Sequence, residues 1–262
     1  MRKQEDNGSG WDMNEVTSIT VREVADWFFR DRRPVMSKTS AVEFMHSSHP
    51  RTLFLKSLPR HAQVLDMGAG DGSLAMIKTW PAPQRSDLEL YAVSLEKGAH
   101  FDRYARFELG NWEESRPGFD GMMFAAIMSS HFIEHIHEPQ GFVEWAASRL
   151  KDGGRLYVEW PTPLSQSLPS RETLERAGVR LIISSFFDDS THLRIPPRED
   201  VVRWLGELGL TVEQQGVVRN PFLEEELLAH FRDNKEDEYA VQFAYWSWTS
   251  WAQFVIAEKS AV

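Results

Sequence analysis

The chain of 262 residues contains no cysteine. It therefore has no disulfide framework, no thiolate metal site and no cysteine nucleophile. That absence leaves the compartment open. Positive charge is scarce as well: Lys and Arg number 29 against 39 Asp and Glu, for a net charge of -10. A non-specific nucleic-acid binder carries a basic surface, so the composition disfavours that class, a local basic patch aside. Long apolar runs are also missing. The longest, Met122 to Met128, is far too short to span a bilayer. The opening stretch MRKQEDNGSG lacks the apolar segment of a secretory signal. A soluble cytoplasmic protein is the default expectation, with residues 1–10 disordered. No internal repeat or low-complexity tract is visible.

With 42% hydrophobic and 26% charged residues, the chain fits one sizeable α/β domain with a small appendage. It has 10 tryptophans, which suit either an aromatic pocket or a bulky core.

One stretch organises the remainder. Residues 62–75 read AQVLDMGAGDGSLA. The apolar pair Val64-Leu65 ends in Asp66, and Gly68, Gly70 and Gly72 alternate with other residues. This pattern predicts a strand, a tight turn and a helix start. Glycine allows positive φ and lets a ligand approach the backbone, and amides at a helix N-terminus favour an electronegative partner. Such turns form the nucleotide-binding edge of doubly wound sheets. The spacing D-x-G-x-G-x-G differs from the dinucleotide fingerprint G-x-G-x-x-G.

Thr20 caps a first helical pattern built on Val21, Val24, Ala25 and Phe28. A second runs from Ser40 to about Leu58, interrupted near Pro50. Strands are predicted at 88–95, 106–109, 122–129, 155–160, 211–218 and 251–259. Helices are predicted from Pro139 to the Gly153-Gly154 stop, over 199–209, and over 222–232 behind an Asn220 cap with Pro221 at the first position. The charge run 233–238 reads as a solvated loop. Strands alternating with helices require a parallel sheet.

The glycine turn resembles motif I of class I S-adenosylmethionine (SAM)-dependent methyltransferases. Two further segments resemble the same family: SSHFIEH (129–135), similar to S-x-H-x-L-E-H after strand four in small-molecule enzymes including the quinone-biosynthesis type, and LKDGGRLYVEWP (150–161), similar to L-K-P-G-G-x-L-x-x-x-x-P. The resemblance implies a seven-stranded, mostly parallel, doubly wound Rossmann-like sheet with an N-terminal helical lid. Residues 1–50 would be that lid, 51–262 the methyltransferase domain, and 162–197 a substrate-side insertion. The implied cofactor is SAM, held by Asp66, Gly68, Ala69, Gly70 and Gly72, by Ser94, Leu95 and Glu96 at the ribose, by Asn111 and Trp112 at the adenine, and by Ser129 and Ser130. Ser94 stands where the family carries an acidic residue, with Glu96 on the same strand face.

Methyl transfer from a sulfonium is an in-line displacement, so positioning supplies much of the acceleration. A hydroxyl acceptor also needs a base, and histidine suits that task. His131, His135 and His192 are the candidates, with His131 and His192 ahead of His135. Ser130, His131 and Trp160 are expected to face the acceptor. Asp188 and Asp189 are one carboxylate pair without a third placed ligand, and no metal is assigned. The expected reaction is O-methylation of a sugar or secondary metabolite. The alternatives are N- or C-methylation of a small molecule, a non-catalytic partner subunit of the same fold, and an NAD(P)-dependent oxidoreductase. Neither nucleic acid nor membrane is an expected partner, and a homodimer is left open.

Overall fold

The computed structural model describes residues 18–233 and 237–260. The disorder expected of residues 1–10 and part of the charge run fall outside them.

Three helices lead the chain: α1 (Val21–Phe29), α2 (Lys38–Ser48) and α3 (Pro50–Ser57). Thr20 accepts from the amide of Glu23, whose carboxylate accepts from the Thr20 amide, so two orphan donors are satisfied reciprocally. Pro50 separates α2 from α3 because it suits a first helical position and disrupts an interior one. The sheet then builds as β1 (Gln63–Met67), β2 (Glu89–Ser94), β3 (Arg106–Leu109), the short α4 (Trp112–Ser115), β4 (Phe124–Ser130), α5 (Pro139–Arg149) and β5 (Leu150–Pro161). The insertion carries α6 (Arg171–Arg176). It is followed by α7 (Arg198–Glu207), β6 (Leu210–Val217), α8 (Pro221–Phe231), α9 (Glu238–Trp248) and β7 (Ala252–Lys259).

The seven strands lie in the order β3-β2-β1-β4-β5-β7-β6. The pairings from β3 to β5 are parallel, and β7 runs antiparallel to both β5 and β6. Successive residues of a strand leave opposite faces. Val64, Ala92 and Met128 join a core with α1, α2, α3, α8 and α9, while Leu65, Val93 and Ile127 join a second core with α5 and α7.

The N-terminal helices share their core with α8 and α9. Arg32, on the loop after α1, donates to Glu225 on α8 at 2.7 Å, and the Glu226 carboxylate accepts from the amides of Val35 and Met36. Helix α9 lies in a stretch that periodicity leaves unassigned. Among the described residues, no helix is long and apolar enough to cross a membrane.

Candidate active site

The glycine turn is pinned to the neighbouring strand. The amides of Gly68 and Ala69 both donate to the Val93 carbonyl, at 3.0 and 2.9 Å. Gly68, Gly70 and Gly72 all have positive φ. Their surroundings differ. A Cβ on Gly68 would lie 3.0 Å from Phe132, and one on Gly72 would lie 2.8 Å from Phe101, whereas a Cβ on Gly70 meets nothing nearer than the Gly68 oxygen at 4.0 Å. Two of the glycines are needed for packing, and the third faces open space.

That space is a cavity of about 360 Å³ at the carboxyl ends of β1 and β2, lined by Gly68, Gly70, Ser94, Leu95, Asn111 and Trp112 among others. Six of the expected cofactor residues therefore converge. The others do not line it. Asp66 is buried and accepts from the Tyr104 hydroxyl at 2.6 Å. Burial pushes its carboxyl up to about 6, against that hydrogen bond and the charge of Arg51. Ala69 lies on the turn but outside the lining, and Gly72 packs on Phe101 and Tyr104. Glu96 lies past the end of β2 and is exposed, so sharing a strand face with Ser94 does not carry it to the cavity. Ser129 is fully buried within β4, and Ser130 donates to Glu159. Trp112 lines the cavity, but its ring is buried and packs edge-on against Phe132, Phe142 and Trp145.

Gly98 was not foreseen. A Cβ there would sit 2.5 Å from the Asp71 backbone and 2.6 Å from the Gly70 oxygen. Gly98→Ala is expected to displace the glycine turn, lowering stability by roughly 1–3 kcal/mol in a denaturant titration.

A second cavity, about 390 Å³, is lined by Ser73 and Leu74, which follow the turn. Its walls are mostly apolar and aromatic, with Met45, Leu74, Trp80, Phe243 and Trp246 among them. Part of the cover comes from α9, whose Tyr239, Gln242, Phe243 and Trp246 recur at helical spacing on one face. The insertion contributes Ile182 and Ile183, not His192.

The floor of this cavity is a charge network centred on Glu159 of β5, which is 1% exposed. Arg51 Nη2 lies 3.2 Å from Glu159 Oε1, and Tyr157 and Ser130 donate to the same carboxylate. Burial opposes ionisation of Glu159, yet the charges of Arg51 and the two neighbouring histidines hold it well below the usual range. His131 follows β4 in the left-handed region, φ 52. Its Nδ1 bonds Glu134 at 3.2 Å and its Nε2 lies 3.2 Å from Glu159. Burial alone would depress the imidazole, but the two carboxylates outweigh it and raise it to about 9. The two carboxylates thus favour the charged form of the His131 imidazole. Burial drives His49 the other way, down to about 4. Glu159 lines the cavity together with Arg51 and His131, whose side chains are 31% and 22% exposed.

The acceptor-facing position expected of Trp160 is corrected. Trp160 is fully buried and donates to the Pro196 carbonyl, because the β5–β7 pairing turns it into the core. His135 lines the smaller cavity, and His192 lines neither. Asp188 closes a turn, accepting from the amides of Arg171, Ser184 and Ser185. Glu159 had a faint signal as a lone charge in an otherwise apolar run, LYVEWP, whereas Arg51 had none.

A family model described as a methyltransferase domain matches residues 42–215. A curated relative from Xanthomonas axonopodis pv. citri, a ubiquinone biosynthesis O-methyltransferase, is 29% identical over 175 residues, covering 63% of this chain and 69% of the relative. A second with the same name, from Xanthomonas euvesicatoria pv. vesicatoria, is 28% identical over 172 residues, covering 62% and 68%. Among solved structures, a Bacillus halodurans C-125 protein given as a methyltransferase aligns with TM-score 0.51 at 16% identity, over 82% of this chain and 100% of its own. A mycolic acid cyclopropane synthase solved with SAH aligns with TM-score 0.50 at 20% identity, over 80% and 82%. These structural likenesses concern the fold.

Proposed function

This chain belongs to the methyltransferase-domain family, and from that premise we propose that it O-methylates an apolar small molecule bearing an acidic hydroxyl or carboxyl group. The observation that carries the reading is the presence of two cavities lined by the glycine turn and by the residues that follow it. One is edged by the open face of Gly70, and the other is mostly apolar with Arg51, His131 and Glu159 at its floor.

SAM fits the first cavity in the manner such turns permit. The side-chain-free face of Gly70 leaves room for the adenosine, with Ser94 and Leu95 at the ribose and Asn111 and Trp112 at the adenine. Arg51, whose charge also acts on Asp66 below the turn, would hold the methionine carboxylate. When bound, SAM supplies an electrophilic methyl and a thioether leaving group.

This chain's residues orient and exclude. Trp80, Phe243 and Trp246 enclose an apolar acceptor and keep out water. Trp246 offers an indole N–H without a partner among the described residues. The imidazolium of His131 favours the ionised form of an acceptor oxygen, so an acidic hydroxyl needs no separate strong base. Oxygen as the accepting atom agrees with relatives named as O-methyltransferases. An aromatic lining suits a planar or apolar acceptor better than a sugar. Net charge -10 suits neither nucleic acid nor an anionic membrane surface.

Mass-detected turnover on phenols and aromatic acids, set against sugars, tests the reading. Methylated phenol or acid is the expected product, and methylated sugar alone would overturn the choice of acceptor. Trp246→Ala is expected to raise KM for the acceptor roughly 10- to 100-fold, from the lost apolar contact, with SAH affinity unchanged by calorimetry.

A further inference from the structure

Three side chains converge where the loop after β4 meets the insertion. Glu134, His135 and His192 each bring one ligand atom to within 4.8 Å of the others. Glu134 is 0% exposed, and its Oε2 has no hydrogen-bond partner among the described residues. A buried carboxylate oxygen left unpaired is costly, and a cation relieves that cost. The other oxygen, Oε1, is already engaged by His131.

The hydrogen bonds around the two histidines fix their tautomers. His192 Nδ1 lies 2.6 Å from the Phe186 carbonyl, which only accepts, so Nδ1 carries the proton. His135 Nδ1 lies 2.9 Å from the Thr191 hydroxyl, whose single proton goes to Asp189 at 2.6 Å. Here too Nδ1 must donate. Both rings are left with an Nε2 lone pair, each oriented by a partner behind it, which is how metal-ligating histidines are held. The backbone adds rigidity: the Leu193 amide donates to the Glu134 carbonyl at 2.8 Å, and the Phe186 ring stacks on His192 with centroids 4.5 Å apart.

We propose that Glu134, His135 and His192 form a site for a first-row divalent transition metal, which clasps the insertion to the loop after β4. Two imidazole nitrogens and one carboxylate suit zinc, cobalt or ferrous iron, and calcium or magnesium would want oxygen ligands. Bonds of about 2.0–2.2 Å require the three donors to draw closer than their present spacing. Asp189 Oδ2, 3.9 Å from His192 Nε2, stands next to the set. His135 and Thr191 also line the smaller cavity, so the clasp fixes part of its wall. This inference rests on the donor set and is independent of the methyl-transfer reading.

The test is titration of the untagged, chelator-stripped full chain with Co²⁺ and then Zn²⁺. One equivalent of Co²⁺ is expected to bind, giving visible d–d absorption that Zn²⁺ abolishes, and the melting temperature is expected to rise. His135→Ala and His192→Ala should each weaken binding by about 100-fold or more, a loss at least as large as that for outer-sphere partners. His137→Ala, at an exposed position outside the set, should leave it unchanged. If a variant fails to fold, ¹⁵N imidazole shifts of the wild type on adding Zn²⁺ decide instead: Nε2 of two histidines should move. No stoichiometric binding at micromolar protein, binding that survives the double substitution, or unmoved imidazole shifts would overturn the proposal.

Discussion

Gly70→Val leaves the chain folded and weakens SAM binding by about 100-fold or more, equivalent to at least ~2.7 kcal/mol. Its neighbours in the turn would not behave this way. At Gly68 and Gly72 a Cβ meets Phe132 at 3.0 Å and Phe101 at 2.8 Å, so substitution there disturbs packing first. At Gly70 the nearest atom is 4.0 Å away, and a branched side chain enters only the space left for the cofactor. The positive φ of 57° costs roughly 1–2 kcal/mol in an L-residue, small beside the ~5–15 kcal/mol stability of an ordinary domain. Thermal denaturation alongside calorimetry with SAH separates the two effects. A folded variant with unchanged affinity would move the cofactor away from this turn.

Replacing His131 has the largest expected effect on stability. Glu134 and Glu159 are 0% and 1% exposed, and His131 lies 3.2 Å from each. His131→Gln removes the cation between two buried carboxylates and is expected to destabilise by about 3–5 kcal/mol in denaturant titration. The pH dependence has a definite sign. The folded-state value near 9 lies above the ordinary value of 6.5. The stabilisation is therefore complete below 6.5 and is lost as pH rises through 9. Wild-type melting temperature should fall between those limits, and that fall should be smaller in His131→Gln. Equal slopes in the two proteins would mean that the imidazole is not held charged. The same state predicts a pH–rate profile without an acid limb near 6.5 from this residue.

Much of the fold was legible because most of the parallel strands carry short apolar runs bounded by polar residues, Gly or Pro. The turn at Gly68–Gly72, the third strand at 106–109 and the caps at Thr20 and Asn220 follow from local chemistry. Half of the expected cofactor residues, Gly68, Gly70, Ser94, Leu95, Asn111 and Trp112, line one cavity because topology brings the ends of β1, β2 and β3 together. The lining of the second cavity was not legible. Glu159 reads as one charge in an apolar strand, and only the folded chain shows Arg51, Tyr157 and His131 around it. Helix α9 escaped because its aromatics are spread round the helix, with Tyr245 buried and Phe243 and Trp246 at the cavity. Around His192, sequence proximity leaves the parts of the two aspartates open: Asp188 caps a turn, Asp189 Oδ2 lies 3.9 Å from His192 Nε2, and the ring stacks on Phe186.

The most direct test of the whole account is a crystal structure of the chain with SAH. It should place the adenosine in the cavity of Gly70, Ser94 and Trp112, with the ribose hydroxyls within one water of Ser94 or Leu95. The sulfur should face the cavity floored by Arg51, His131 and Glu159. Adenosine lodged among Trp80, Phe243 and Trp246, or a ribose remote from the end of β2, would contradict the assignment of the two cavities and the chemistry built on it.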